Sequence, residues 1–338
     1  MYRFSGLEDK INLSVNIMKS SENDNACTHL PLAKDAVVLG LFGAAHLGDT
    51  LCTSPLPRLL CRQLGRPVNV IDSPMTRAVF TGNPHVSGFG GKATIFLNNR
   101  LAGSGHILQR LAQGLELPIE PIPRPEIYLT EAEVEWAVGE RHRWQADRPV
   151  CVLSTAAESD KANMERVEWE AVVRVLSRTV TVVQPVLDEP EVTGAIIYRH
   201  LPVRQYMALI STSDYFIGGT SGGSHIAAAF GVPSLIVAWR SLTDDLRFPV
   251  SGQGIVAAFC YPQHWFVAAE DLTGDGFQEN ALVGLASEMV RHGRAGRPIG
   301  FGNFPSRPCG FIPTVARPAT RVGNRFMRLP ATPARQVP

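Results

Sequence analysis

Apolar residues along this 338-residue chain fall into short runs separated by segments with helical spacing, and the alternation occurs twice. The run Ala36–Gly43 (AVVLGLFG) has the length and β-branching of a strand buried on both faces. From Asp49 onward, Leu51, Leu56, Leu59, Leu60 and Leu64 recur at helical intervals. Next come Pro67–Asp72 (PVNVID), a short helical piece through Phe80, a turn at Gly82-Asn83-Pro84 and the apolar run Ala93–Leu97. Strands alternating with helices predict parallel pairing through crossover connections, hence an α/β layer structure.

The alternation restarts after the proline-rich stretch Leu117–Thr130 and a charged helix, EAEVEWAVGERHRW. Pro149–Ala156 (PVCVLSTA) opens a second unit. It continues through the helix ERVEWEAVVRVLSR, the strand TVTVVQPV, the helix RQYMALISTS, the strand YFIGG, the helix SHIAAAF and the strand PSLIVAW. The pattern divides the chain into an irregular segment 1–34, a first α/β domain 35–147, a second 148–292 and a tail 293–338 rich in Pro, Gly and Arg. The tail's composition predicts disorder.

Composition narrows the function classes. With 32 Lys+Arg against 31 Asp+Glu the net charge is +1, which gives no electrostatic footprint for a nucleic-acid partner. Hydrophobic residues at 45% and charged residues at 19% fit sizeable cores. Six cysteines without CxxC spacing argue against a zinc site or a redox pair, and read as thiols of a reducing, cytoplasmic compartment. No apolar run approaches the ~18 residues of a membrane span, and the start MYRFSGLEDK lacks the order of a signal peptide. The expectation is a cytoplasmic chain, with at most peripheral membrane association.

Two glycine-bearing junctions carry the candidate chemistry. In GAAHLGDT (Gly43–Thr50) the first strand runs into a helix, and small residues there let backbone approach a ligand beyond the strand's carboxyl end. The spacing is neither GxGxxG nor GxxxxGK[ST]. Asp49 stands at or next to the helix N-cap, where a carboxylate is first of all a favoured cap and is compatible with accepting a hydroxyl proton at the cleft edge. His46, Gly48 and Thr50 flank it in the same loop. The second junction is GGTSGGSHIAAAFGVP (Gly218–Pro233), in which a strand ends in glycines and hydroxyls before a helix expected near Ser224. Free N–H groups and the helix's positive end suit a phosphate or pyrophosphate, with Thr220, Ser221 and Ser224 as side-chain donors around Gly222 and Gly223. His225 lies in the first turn, facing either the ligand or the interior.

Together the junctions resemble glycosyltransferase family 9, the ADP-heptose:lipopolysaccharide heptosyltransferases and their relatives. The matching residues are Leu47-Gly48-Asp49 with Ser54-Pro55, the turn TGNPHVSGF (Thr81–Phe89), and SDYFIGGTSGGSHIAAAFGVPS (Ser213–Ser234). The resemblance spans about residues 36 to 290. It implies a GT-B architecture of two facing Rossmann-like domains, acceptor on the first and nucleotide-sugar on the second. It also implies inverting transfer without a metal or other cofactor. Asp49 would be the general base, and Thr220 to His225 would hold an ADP-heptose-like donor. By the same resemblance Lys161, or Arg166 in its place, would lie near the pyrophosphate, and Glu189 or Glu191 near the ribose. Adjacent Asp244-Asp245 is not a DxD metal motif. Arg77, His85, Arg100 and His106 lie in loops that would face the acceptor, which could be a glycan, a protein or a small molecule. The sequence departs from the family at Thr220, where an acidic residue contacts the donor sugar. That departure motivates two alternatives, a GT-B binding protein without turnover and a nucleotide-sugar epimerase on the same fold.

Overall fold

The structure, a computed structural model, describes residues 37–41, 46–97, 106–118, 124–144, 148–157, 164–238, 261 and 264–274. The chain divides into two compact units, Met1–Gly103 with Ile107–Tyr128, and Ser104–His106 with Leu129–Pro338.

In the first unit, strands β1 (Val38–Leu41), β2 (Val68–Val70), β3 (Val86–Phe89) and β4 (Ile95–Leu97) form a parallel sheet in the order β3-β2-β1-β4. The helical stretch expected from Asp49 is in fact two helices, α1 (Leu47–Leu51) and α2 (Leu56–Leu64). Pro55 causes the break, since it offers no N–H to Leu51 and disfavours helical backbone at Ser54. The freed Leu51 carbonyl accepts instead from the Ser54 N–H and hydroxyl. Helix α2 ends on Gly65 in the left-handed region (φ 70°), where glycine carries no side-chain penalty. Helix α3 (Pro74–Phe80) starts with a reciprocal Ser73–Thr76 capping box and Pro at its first position. Helix α4 (Ile107–Gly114) buries Ile107, Leu108 and Leu111 in the core with Leu39, Leu51, Val70 and Val79.

The second unit has six parallel strands in the order β10-β9-β8-β5-β6-β7: β5 (Val150–Ser154), β6 (Thr181–Val186), β7 (Ile196–Arg199), β8 (Tyr215–Gly218), β9 (Ser234–Ala238) and β10 (His264–Ala268). Every residue of β5 is buried, as a parallel strand with two covered faces requires. The helices are α5 (Glu131–Arg143), α6 (Trp169–Leu176), α7 (Val203–Ser211) and α8 (Gly222–Phe230). The change of unit falls at Tyr128–Leu129, not near residue 147, because α5 packs on α7. Glu133 of α5 pairs with Arg204 of α7 at 2.5 Å, and Arg141 with Asp214 at 2.6 Å. Asp214 also accepts from the Val150 N–H, which ties α5 to the start of β5.

Strands β3, β7 and β10 and helix α4 were not anticipated from the pattern. The first three are sheet-edge strands, and β3 and β7 are only half-buried, so neither shows a clean apolar run. No helix among the described residues is long and apolar enough to cross a membrane.

Candidate functional site

In the second sheet the chain starts at β5, moves to β6 and β7 on one side, then returns to β8, β9 and β10 on the other. Ligands in open parallel sheets bind beyond the carboxyl ends of the two strands where that direction reverses. Those strands are β5 and β8, paired from Cys151↔Tyr215 to Ser154↔Gly218. The second glycine junction therefore sits at the switch point of its sheet.

The glycines there are fixed by the protein's own packing. A Cβ on Gly218 would meet the Ser154 carbonyl at 2.7 Å, and one on Gly219 would meet the Ala157 Cβ at 3.0 Å. A Cβ on Gly223 would collide with the Tyr206 hydroxyl and lie 2.7 Å from the Phe216 ring. Tyr206, whose phenol is pushed well up by burial, hydrogen-bonds Ser154, so α7, α8 and the end of β5 meet at one point.

Helix α8 starts at Gly222, two residues earlier than expected, with Ser221 as N-cap. The Ser221 N–H donates to the Ser224 Oγ (3.2 Å), and the Ser224 hydroxyl donates back to the Ser221 carbonyl (2.8 Å). Ser224 is fully buried, so its hydroxyl serves the cap. His225 faces the interior: its Nδ1 lies 2.7 Å from the Tyr261 hydroxyl, and burial drives its pKa down to about 4. His264 stands edge-on to the same tyrosine ring. Burial, then the nearby His225 and His106, take its pKa down to about 3. What remains at the head of α8 is half-buried Thr220, the first-turn N–H groups of Gly222 and Gly223, and the Ser221 hydroxyl. The Ser221 Oγ is enclosed and faces the first turn of α8, where it forms a capping box with Ser224.

The loop after β6 holds both acidic candidates in internal contacts. The Glu189 carboxylate accepts from the N–H groups of Leu187 (3.0 Å) and Asp188 (3.1 Å), and Glu191 pairs with Arg199. Arg166 is exposed. Lys161, Arg100 and Asp244-Asp245 lie outside the described residues.

In the first unit Asp49 is the third residue of α1, not its cap. His46 occupies the N-cap with extended backbone and no side-chain bond. Thr50 is buried and its hydroxyl donates to the His46 carbonyl at 2.9 Å, while Gly48 and Asp49 are half-buried and His46 is exposed. No local motif points to Asp49's electrostatic neighbours. The buried Cys52 thiol is pushed up by burial and then by Asp49, against the opposing Arg110 guanidinium. Arg110, only 5% exposed on α4, is itself pulled down by burial. Arg110 follows Cys52 by 58 residues, so no local motif links the two.

Of the loop residues, Arg77 makes a two-bond ion pair with Asp72 (2.6 and 2.7 Å) and covers the Phe89 ring. His85 is held by its N–H to the Asn83 side chain. His106 belongs to the second unit, its ring centroid 4.6 Å from that of Tyr261. Among the described residues no group of three or more His, Cys, Asp or Glu is placed to hold a metal ion.

The chain is similar in fold to solved glycosyltransferases, and its structural neighbours include heptosyltransferases of glycosyltransferase family 9. The E. coli ADP-heptose LPS heptosyltransferase II matches with a TM-score of 0.55 at 13% identity, over 76% of this chain and 99% of that one. The glycosyl transferase family 9 protein from Veillonella parvula DSM 2008 matches with a TM-score of 0.57 at 11% identity, over 76% and 98%. At these identities the likeness is one of fold. No family model matches the chain, and no curated protein matches it in sequence.

Proposed function

We propose that this chain is an inverting glycosyltransferase that moves a sugar from a nucleoside-diphosphate donor to an acceptor hydroxyl. The observation that carries this reading is the Gly218–Phe230 junction at the β5/β8 switch point, in a fold shared with heptosyltransferases. The donor pyrophosphate would lie at the head of α8, on the N–H groups of Gly222 and Gly223 and the hydroxyls of Ser221 and Thr220. The helix dipole would stabilise the departing diphosphate, so no divalent cation is required. Asp49 would take the acceptor's hydroxyl proton as the oxygen attacks the anomeric carbon. The bond from that carbon to the diphosphate oxygen breaks, and its electron pair leaves with the nucleoside diphosphate.

Thr220 offers one hydroxyl where family 9 has a carboxylate able to accept two sugar hydroxyls, so the donor sugar is related to heptose without being bound to heptose itself. The Thr220 substitution leaves Asp49 and the α8 head in place, and turnover is the reading the site supports over a binding-only protein or an epimerase. A thermal-shift panel of nucleoside diphosphates would identify the base, because a ligand of the native state alone raises its stability. Incubation with the matching nucleotide-sugars and candidate acceptors, followed by mass spectrometry, would then detect transfer. Stabilisation by no nucleoside diphosphate would overturn the reading, as would epimerised donor without acceptor consumption.

A further inference from the structure

Gln184, in the middle of β6, is fully buried and its amide makes three hydrogen bonds. Its Nε2 lies 3.0 Å from the Pro190 carbonyl and 3.1 Å from the Thr155 Oγ1, and its Oε1 accepts from the Val192 N–H at 2.7 Å. The two loop partners fix which way the amide points. Proline has no N–H, so the group facing Pro190 must be the NH₂, and the group facing the Val192 N–H must be the oxygen. The atom facing Thr155 is therefore a donor. Thr155 must accept at its Oγ1, and its own proton has to point elsewhere.

Thr155 is the first residue beyond β5, one of the two switch-point strands, so its neighbours include the place where a ligand would sit. Building on the nucleotide-sugar reading above, we infer that Gln184 is a positioning residue for the donor. By occupying Thr155 Oγ1 as an acceptor it leaves the proton of that buried hydroxyl for a phosphate oxygen, and the same amide pins the loop 187–192 that carries Glu189 and Glu191. One buried side chain thus couples the phosphate end of the site to the loop expected to reach the ribose.

The test is titration calorimetry of the full chain with the nucleoside diphosphate that stabilises it best, and with the corresponding nucleoside. Thr155→Val removes a hydrogen bond to a charged group and should weaken the diphosphate about tenfold or more, while nucleoside affinity changes less than about threefold. Thr155→Ser should keep wild-type affinity within about threefold. Gln184→Met should weaken the diphosphate to a similar extent, and the double variant should be no weaker than the poorer single variant by more than about twofold, because the two residues act as one unit. Additive losses, or an unchanged affinity in Gln184→Met, would overturn the inference. If Gln184→Met does not fold, the Thr155 pair decides: equal affinities for Thr155→Val and Thr155→Ser would also overturn it. Wild-type protein that binds no nucleoside diphosphate would sink the underlying functional reading instead, which keeps the two failures distinguishable.

Discussion

Asp49 sits in the first turn of a five-residue helix, where the exposed N–H groups favour a negative charge, and its carboxylate is near enough to Cys52 to raise that thiol. If Asp49 is the base proposed above, it should be replaceable in shape but not in chemistry. Asp49→Asn is expected to lower kcat by about 10²–10⁴, the usual contribution of a general base, with donor affinity changed less than about threefold. Loss of donor binding in step with kcat would assign the residue to the helix instead. At Thr220 the expectation concerns choice of sugar. Thr220→Asp should shift the ratio of kcat/KM between donors that share a nucleotide, while affinity for the free nucleoside diphosphate stays within a few-fold. Single residues were the least legible level in the sequence. Asp49, Thr220 and Ser221 stand out as candidates because each lies in a short local motif. Thr155, Gln184 and Arg110 do not, since their partners come from other strands and helices. Ser224 and His225 lie in the motif, yet their side chains serve the cap and the interior, and spacing alone does not separate those uses.

Helices and strands were more legible, and the errors have physical causes. Central strands such as β5 and β8 announce themselves through continuous burial, whereas the edge strands β3 and β7 are made by pairing that no local run encodes. Two substitutions test what holds the elements together. Gly223→Ala forces a methyl group into the Tyr206 hydroxyl and the Phe216 ring, and overpacking of that kind costs about 1–3 kcal/mol. A denaturant midpoint unchanged from wild type would mean that α8 can lift away from α7. Glu133 joins two tasks, closing the capping box of α5 with Thr130 and pairing with Arg204. The Arg204 hydrogen bond holds its carboxyl below the usual range, so the stabilisation is present above the unfolded pKa and is lost as pH falls through the folded one. Glu133→Ala should cost about 1–2 kcal/mol at pH 7. The cost should shrink below about pH 4, the ordinary carboxylate range, and urea titrations at several pH values would show whether it does.

For the molecule as a whole, the neutral histidines set the response to acid. His225 and His264 have folded pKa values of about 4 and about 3, below the ordinary value near 6.5. The unfolded chain binds protons first, so their stabilisation is complete above about pH 6.5 and declines as pH falls towards the folded values. Unfolding midpoints should drop between pH 7 and pH 5, and His264→Gln should flatten that slope; an identical slope in the variant would place the acid sensitivity elsewhere.

The seam between β5 and β8 also has a consequence during synthesis. Ser154 waits about 60 residues for its partner Gly218. At ribosomal speeds of ~5–20 residues per second, β5 is made roughly 3–12 s before β8 can cover its open edge. An uncovered strand of apolar character is a template for pairing with other chains. Nascent-chain aggregation should therefore depend on how quickly the codons between residues 154 and 218 are read. The row of backbone groups that later pairs β5 with β8 is, for those seconds, open to other chains.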